Sequence, residues 1–236
     1  RNVRYALRTF RKAPAFTAVA LLTLALGIGA SATIFSIVDA VVLRPLPFDE
    51  PGRLVAVLEV ANKDTAPMKG QTTPQTFLDW RAQLKAFDGL AAFSGASFEG
   101  RDPEGHPQTI RATRITSNFL AVVRVAPILG RPFTSAEEIR GRHRVAILSY
   151  GFWQRRFGGD PAVVGRTVAL NDEPWQVVGV MPAGFEYPVA TARPPDIYVP
   201  PGFGEQDLVR GSARNFLWTV IGRLGRGVSL EQASNE

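Results

Sequence analysis

Between positions 144 and 182 the chain reads RVAILSYGFWQRRFGGDPAVVGRTVALNDEPWQVVGVMP. Arg144 to Leu148 has the apolar density of a buried strand. Ser149 is placed to cap a helix over Tyr150 to Phe157, and Gly158-Gly159 stops it. Thr167 to Leu170 and Trp175 to Val180 then flank the polar run Asn171-Asp172-Glu173-Pro174, which predicts a β-hairpin closed by Met181-Pro182. Aspartate at 172, where glycine is favoured, argues against a two-residue type I′ turn. Strand, helix and hairpin at such close spacing predict a mixed α+β domain of short elements.

On the N-terminal side of this stretch the same signals recur. Arg53 to Val60 (RLVAVLEV) reads as a buried strand. Thr73 to Phe87 opens with Thr-Pro and spaces Phe77, Leu78, Trp80, Leu84 and Phe87 as an amphipathic helix. Gly100 to Pro107 is turn-forming, Thr109 to Ile115 alternates toward a strand, and Ser117 and Asn118 are placed to cap a short helix through Val122. On the C-terminal side, Trp218 to Leu224 (WTVIGRL) reads as a strand, and Ser229 as the cap of a helix running into the chain end.

Before the domain lies a segment of another kind. Ala15 to Val38 (AFTAVALLTLALGIGASATIFSIV) carries no charged residue. As a helix it would be about 36 Å long, enough for a hydrocarbon core of about 30 Å. Pro45 and Pro47 stop it. A cleaved signal peptide is the competing reading, because Ala30-Ser31-Ala32 imitates a cleavage site. Apolar character resumes beyond it, with Ile34, Phe35, Ile37, Val38 and Val41 to Leu43, which favours an uncleaved anchor. Within the span Ala25, Gly29 and Thr33, and Gly27 and Ser31, follow the spacing that permits close helix packing.

The formal charge of +6 is concentrated beside that segment. Arg1, Arg4, Arg8, Arg11, Lys12 and Arg44 face a single acid, Asp39, so the remainder is nearly neutral and a nucleic-acid partner is disfavoured. Two readings of residues 1–13 stand together: an amphipathic helix lying on the cytoplasmic face of a lipid bilayer, or arginines that only set topology. Either way the basic end stays inside and the domain lies outside. Cysteine is absent, which excludes disulfides, thiolate metal sites and a cysteine nucleophile.

Chemistry is thinly represented. His106 and His143 are the only histidines. Both read as surface loop residues without a neighbouring ligand cluster, and no nucleotide-binding lysine loop or serine elbow occurs. The sequence therefore predicts no catalytic, cofactor-binding or metal-binding residue. Phe93, Phe98, Trp153, Tyr187 and Tyr198 read as core rather than as a recognition patch, whereas the proline-rich loops from Pro182 to Pro201 suit partner contact.

Four runs carry a resemblance: LTLALGIGASATIFSIVDAVVLRPLPF (Leu22 to Phe48), LGRPF (Leu129 to Phe133), ILSYGFWQRRFGGDPAVVGRTVALN (Ile147 to Asn171) and VVGVMPAGFEYP (Val177 to Pro188). In order and spacing the chain resembles MacB/FtsX-type ABC transporter permeases with a MacB-like periplasmic core domain, and within them the duplicated orphan permease (ADOP) branch. IGRLGRGVSLEQA (Ile221 to Ala233) is similar to the end of that core domain. Val123-Arg124-Val125 departs from the relatives, which usually carry glycine there, so a different turn is expected.

The resemblance implies an α+β fold, ordered as a cytoplasmic amphipathic helix over 1–13, a transmembrane helix over 14–44 and a periplasmic core domain over 45–236. Further transmembrane helices would follow. It implies a non-enzymatic permease in the bacterial inner membrane, coupled to a separate cytoplasmic ABC ATPase subunit for export or mechanotransmission. A second permease unit or homodimer and a periplasmic partner are implied too, with no cofactor. A membrane-tethered or secreted binding module without an ATPase is the alternative.

Overall fold

The computed structural model describes residues 14–38, 48–59, 70–102, 104–185, 187, 194–209 and 217–236. The chain divides into two units, Arg1–Pro45 and Leu46–Glu236. In the first, helix α1 runs Pro14–Val38, 25 residues apolar on every side. Its described leucines are exposed, Leu26 by 73%. Among the described residues, no helix meets both the length and the hydropathy taken to mark a membrane span. The amphipathic helix expected over 1–13 lies outside the described residues, as do 39–44.

The second unit is built on a mixed sheet. Its strands are β1 (Leu54–Val57), β2 (Phe87–Arg101), β3 (Pro107–Ile115), β4 (Leu129–Gly130), β5 (Val145–Leu148), β6 (Thr167–Leu170), β7 (Glu173–Val180), β8 (Ile197–Val199) and β9 (Thr219–Leu224). They lie in the order β1-β9-β2-β3-β8-β5-β7-β4, with β6 paired to β7. The β3–β8 and β5–β7 pairs are parallel and the others antiparallel. Helices α2 (Pro74–Gln83), α3 (Phe119–Val123), α4 (Tyr150–Phe157) and α5 (Leu230–Ser234) connect and cover them. This is the expected α+β class.

The deciding stretch folds as read. Ser149 Oγ accepts the Phe152 N–H at 3.3 Å, α4 spans Tyr150–Phe157, and Gly158 ends it at φ 61°. The hairpin differs in one respect. Leu170 pairs directly with Glu173, so its loop is two residues long. Asn171 and Asp172 both take positive φ, 50° and 59°, which is the type I′ pattern argued against from Asp172. Asn171 makes this possible by docking on β2: its N–H donates to Glu99 O at 2.8 Å and its Oδ1 accepts the Glu99 N–H at 2.7 Å. Pro174 therefore belongs to β7, opposite Ala169.

Two other expectations are corrected. The helix opening at Thr73 ends at Gln83, because Leu84 is already extended, and Phe87 begins β2. The strand read from Arg53 is Leu54–Val57, half-buried and, among the described residues, paired with β9 alone at the edge of the sheet. Strand β2, fifteen residues long, was not anticipated.

The central strands β5 and β8 are buried on both faces, and their successive residues point to opposite sides of the sheet. Ile147 and Tyr198 join one core cluster with Ile115 and Phe119, whereas Leu148 and Ile197 join another with Trp153 and Trp175. A third cluster, with Phe77 and Trp218, lies between α2 and the β2–β9 pair. Phe98, Trp153 and Tyr198 are buried, and Phe93 and Tyr187 pack partly buried on the first cluster, as read. Pro195, Pro200 and Pro201 are buried as well. Ala183 and Gly184 of the same loop are exposed, and residues 186 and 188–193 lie outside the described residues.

Candidate functional site

The segment that leads into the domain is fixed at residues 48–53. Phe48, 8% exposed, inserts into the first core cluster, its ring 6.3 Å from that of Phe185 and 6.0 Å from that of Tyr187. Glu50 follows with a left-handed backbone, φ 46°, and caps the turn Pro51–Arg53. That conformation costs a non-glycine residue energy and persists only where neighbours enforce it.

Three arginines enforce it. Arg53 Nη1 donates to Glu50 Oε2 at 2.8 Å, while its Nε donates at 3.0 Å to the carbonyl of Leu224, the last residue of β9. Arg124 Nη1 reaches both Asp49 and Glu50. Arg223, on β9 and 3% exposed, donates from Nε to Val122 O at 2.6 Å and from Nη1 to Glu50 O at 3.4 Å. Arg53 also pairs with Asp88 on β2. The lead-in segment is thereby tied to α3, β2 and the end of β9.

Arg124 itself is left-handed, φ 57°, at the C-cap of α3. A different turn was expected here because the relatives usually carry glycine around Val123-Arg124-Val125, yet Arg124 takes the left-handed conformation that glycine favours. The turn keeps the geometry a glycine would adopt, and the arginine side chain is used to hold Asp49 and Glu50. Two of the four described non-glycine residues with positive φ, Glu50 and Arg124, are thus joined by one ion pair.

The charges respond to one another. Hydrogen bonding from Arg53, with the field of Arg124, holds the Glu50 carboxyl below its ordinary value, and the Arg124 hydrogen bond does the same for Asp49. Burial and the neighbouring positive charges of Arg124 and Arg53 push the Arg223 guanidinium down. Its Nη2 is buried without a hydrogen-bond partner. A buried cation left incompletely paired disfavours stability and favours one arrangement of the groups around it. The assembly ties the lead-in segment to the domain through ion pairs and backbone hydrogen bonds.

Sequence reading did not find this joint, because its members lie far apart along the chain. The available signal was Arg223 itself, a charge inside the apolar run WTVIGRL.

The histidines behave differently from each other. His106 is exposed on the β2–β3 turn, its Nδ1 3.1 Å from Asp102 Oδ2. Ligand-type atoms of Asp102, Glu104 and His106 lie within 4.8 Å of one another, so a small cluster does surround it. The D-x-E-x-H run was its signal. Asp102 already serves the turn by accepting the His106 N–H at 2.7 Å. His143 is half-buried rather than a free loop residue. It packs edge-on to Trp175 at 5.4 Å, and burial holds its imidazole below the usual range.

A groove of about 780 Å³ between α2 and the turns Ser135–Glu138 and Glu205–Leu208 is lined by Leu78, Ile139, Phe203 and Leu208. At its edge Glu138 is buried and satisfied, accepting from Ser117 N and Oγ at 2.7 Å and from Arg81 at 3.2 Å.

Residues 17–236 match the family described as MacB-like periplasmic core domain. Three solved structures share the architecture. The extracellular domain of the noncanonic ABC-type transporter YknZ from Gram-positive bacteria is 19% identical, with a TM-score of 0.51 over 77% of this chain and 86% of that one. A domain of a permease protein from Porphyromonas gingivalis is 15% identical, with a TM-score of 0.58 over 80% and 82%. The periplasmic region of MacB from Actinobacillus actinomycetemcomitans is 13% identical, with a TM-score of 0.53 over 77% and 78%. At these identities the likeness concerns the fold. No curated protein matches the chain.

Proposed function

Because the chain belongs to the family of MacB-like periplasmic core domains, we propose that it is the first membrane anchor and the extracytoplasmic domain of an ABC-transporter-type permease. On this reading α1 spans the bacterial inner membrane. Its 25 uncharged residues rise about 37 Å, against a hydrocarbon core of about 30 Å. Exposed leucines on every side suit lipid, which rewards apolar surface that water does not. The basic residues before Pro14 stay in the cytoplasm and the domain lies outside. Gly27, with open space where a side chain would stand, offers close approach to another helix of the same or a second permease unit.

The observation that carries the coupling role is the joint. A shift of α1 along its axis passes through residues 39–47 to Phe48. From there Arg53, Arg124 and Arg223 deliver it to β9 and α3, since packed elements move as bodies. The energy comes from a separate ATPase subunit on the cytoplasmic side, and the chain does no chemistry of its own.

The test is to reconstitute the permease containing this chain with its ATPase in liposomes and follow ATP turnover. Arg124→Ala should uncouple turnover from conformational change in the domain, read by a fluorophore on the β2–β3 turn. Were the domain to respond equally in the variant, the joint would not be the relay. Were it to show no dependence on ATP at all, a tethered binding module would be the better description.

A further inference from the structure

The fold encloses one of its two imidazoles. The His143 ring lies against Gly202, where a Cβ would stand 2.7 Å from its Cδ2, and the Trp175 ring meets it edge-on at 5.4 Å. The Gly141 N–H donates to Nδ1 at 3.2 Å, so that nitrogen offers a lone pair and the proton of the neutral ring is on Nε2. The ring thereby fastens the turn over 140–142, which other bonds tie to the loop beyond β8. The Arg140 N–H donates to Phe203 O at 2.9 Å and the Phe203 N–H to Glu138 O at 2.7 Å. Arg140 also pairs with Asp207 at 3.1 Å. Ile139, Arg140 and Phe203 line the groove beside α2, so this turn forms one of its walls.

A second proton fits this arrangement poorly. On Nδ1 it would set a donor against a donor. The charged groups that act on the ring are Arg140 and Arg144 on its own segment, Arg114 on β3 and Glu173 on β7. The one carboxylate among them is already bound by Arg144. The loop over 200–203, Pro-Pro-Gly-Phe, adds no ionisable group. Burial, and then the fields of Arg144 and Arg140, push the imidazole below its ordinary 6.5. A ring released to solvent escapes both and takes up a proton near that ordinary value. Below about pH 6.5 the released turn therefore binds a proton that the enclosed ring refuses. Each pH unit then shifts the balance toward release by up to about tenfold, until the enclosed ring itself titrates.

We propose that His143 is an acid-sensitive latch: its neutral ring holds the turn over 139–143 against the loop over 200–204, and protonation releases the turn and opens one wall of the groove. The latch goes beyond the permease reading and belongs to the domain whether or not an ATPase drives the protein.

Hydrogen exchange of the whole chain in lipid nanodiscs, resolved to single amides and corrected for the intrinsic rate at each pH, reads the latch between about pH 7.5 and 5. This range lies above that in which Asp49 and Glu50 titrate. Opening at the Arg140 and Phe203 amides should rise with acid, approaching about tenfold per pH unit below 6.5. The Val177 amide, bonded to Arg166 O within the sheet, should not change. His143→Asn keeps an acceptor near the place of Nδ1 and does not titrate, so its opening, whatever the level, should be the same at every pH. His106→Gln should follow the wild type. Opening in the wild type that is independent of pH would overturn the latch, as would a pH dependence retained in His143→Asn. Loss of the dependence in His106→Gln would also overturn it, by assigning the response to the exposed imidazole.

Discussion

Replacing Phe48 by alanine removes the apolar peg of the lead-in segment. The ring is 8% exposed and contacts Phe185 and Tyr187 at the rim of the first core cluster. Phe→Ala substitutions in cores cost about 3–5 kcal/mol, and a rim position with one open side belongs at the lower end, about 3 kcal/mol. For a domain of this size each kcal/mol shifts the melting temperature by about 2–4 °C, so a fall of about 6–12 °C is expected. Phe48→Leu keeps most of the volume and should cost about 1 kcal/mol. Calorimetry of the detergent-solubilised chain reads both. Freed from its peg, the segment should also become a substrate for trypsin after Arg53 at temperatures where the wild type resists. A fall under about 2 °C with unchanged trypsin resistance would refute the account, because the peg would then bear no load.

Acid should loosen the joint. Asp49 and Glu50 have folded values depressed below the ordinary 3.8 and 4.5. Their stabilisation is therefore present above those values and is lost as pH falls through the folded ones. Stability should decline below about pH 4.5, and Glu50→Gln should flatten part of that decline in urea titrations from pH 6 to 2.5. Asp172→Gly should stabilise the hairpin by about 0.5 kcal/mol, since glycine takes the left-handed backbone without a Cβ penalty. Gly130→Ala should destabilise by more than about 2 kcal/mol, because φ is +75° and the new Cβ would stand 2.0 Å from Val178 O. Chemical denaturation measures both.

Where local signals coincide, the fold was legible in the sequence. Ser149, the apolar faces of Tyr150 to Phe157 and the paired glycines all demand the same helix, and α4 has those bounds. Strand β2 was hidden because Gly89, Ala91, Ala92, Gly95 and Ala96 give it little hydrophobic contrast. It is a strand through its partners, β9 and β3, which no local pattern reports. The type I′ turn escaped for the same reason, since its positive φ values are held by the Asn171–Glu99 contact across the sheet. The joint was least legible. Glu50, Arg124 and Arg223 are separated by more than seventy residues at each step, and only an arginine in an apolar strand hinted at it. Helix α1 was plain from composition, an uncharged run flanked by arginines, and its placement across a membrane is the proposal on which the rest depends.

The chain has no cysteine, so single cysteines can report topology without background. In cells with a permeabilised outer membrane, Glu104→Cys on the β2–β3 turn should react with a membrane-impermeant maleimide before lysis. Arg4→Cys, ahead of α1, should react only after the inner membrane is opened. Protection of the cysteine at 104 until lysis, or equal labelling of both in intact cells, would contradict an extracytoplasmic domain carried on a membrane-spanning α1.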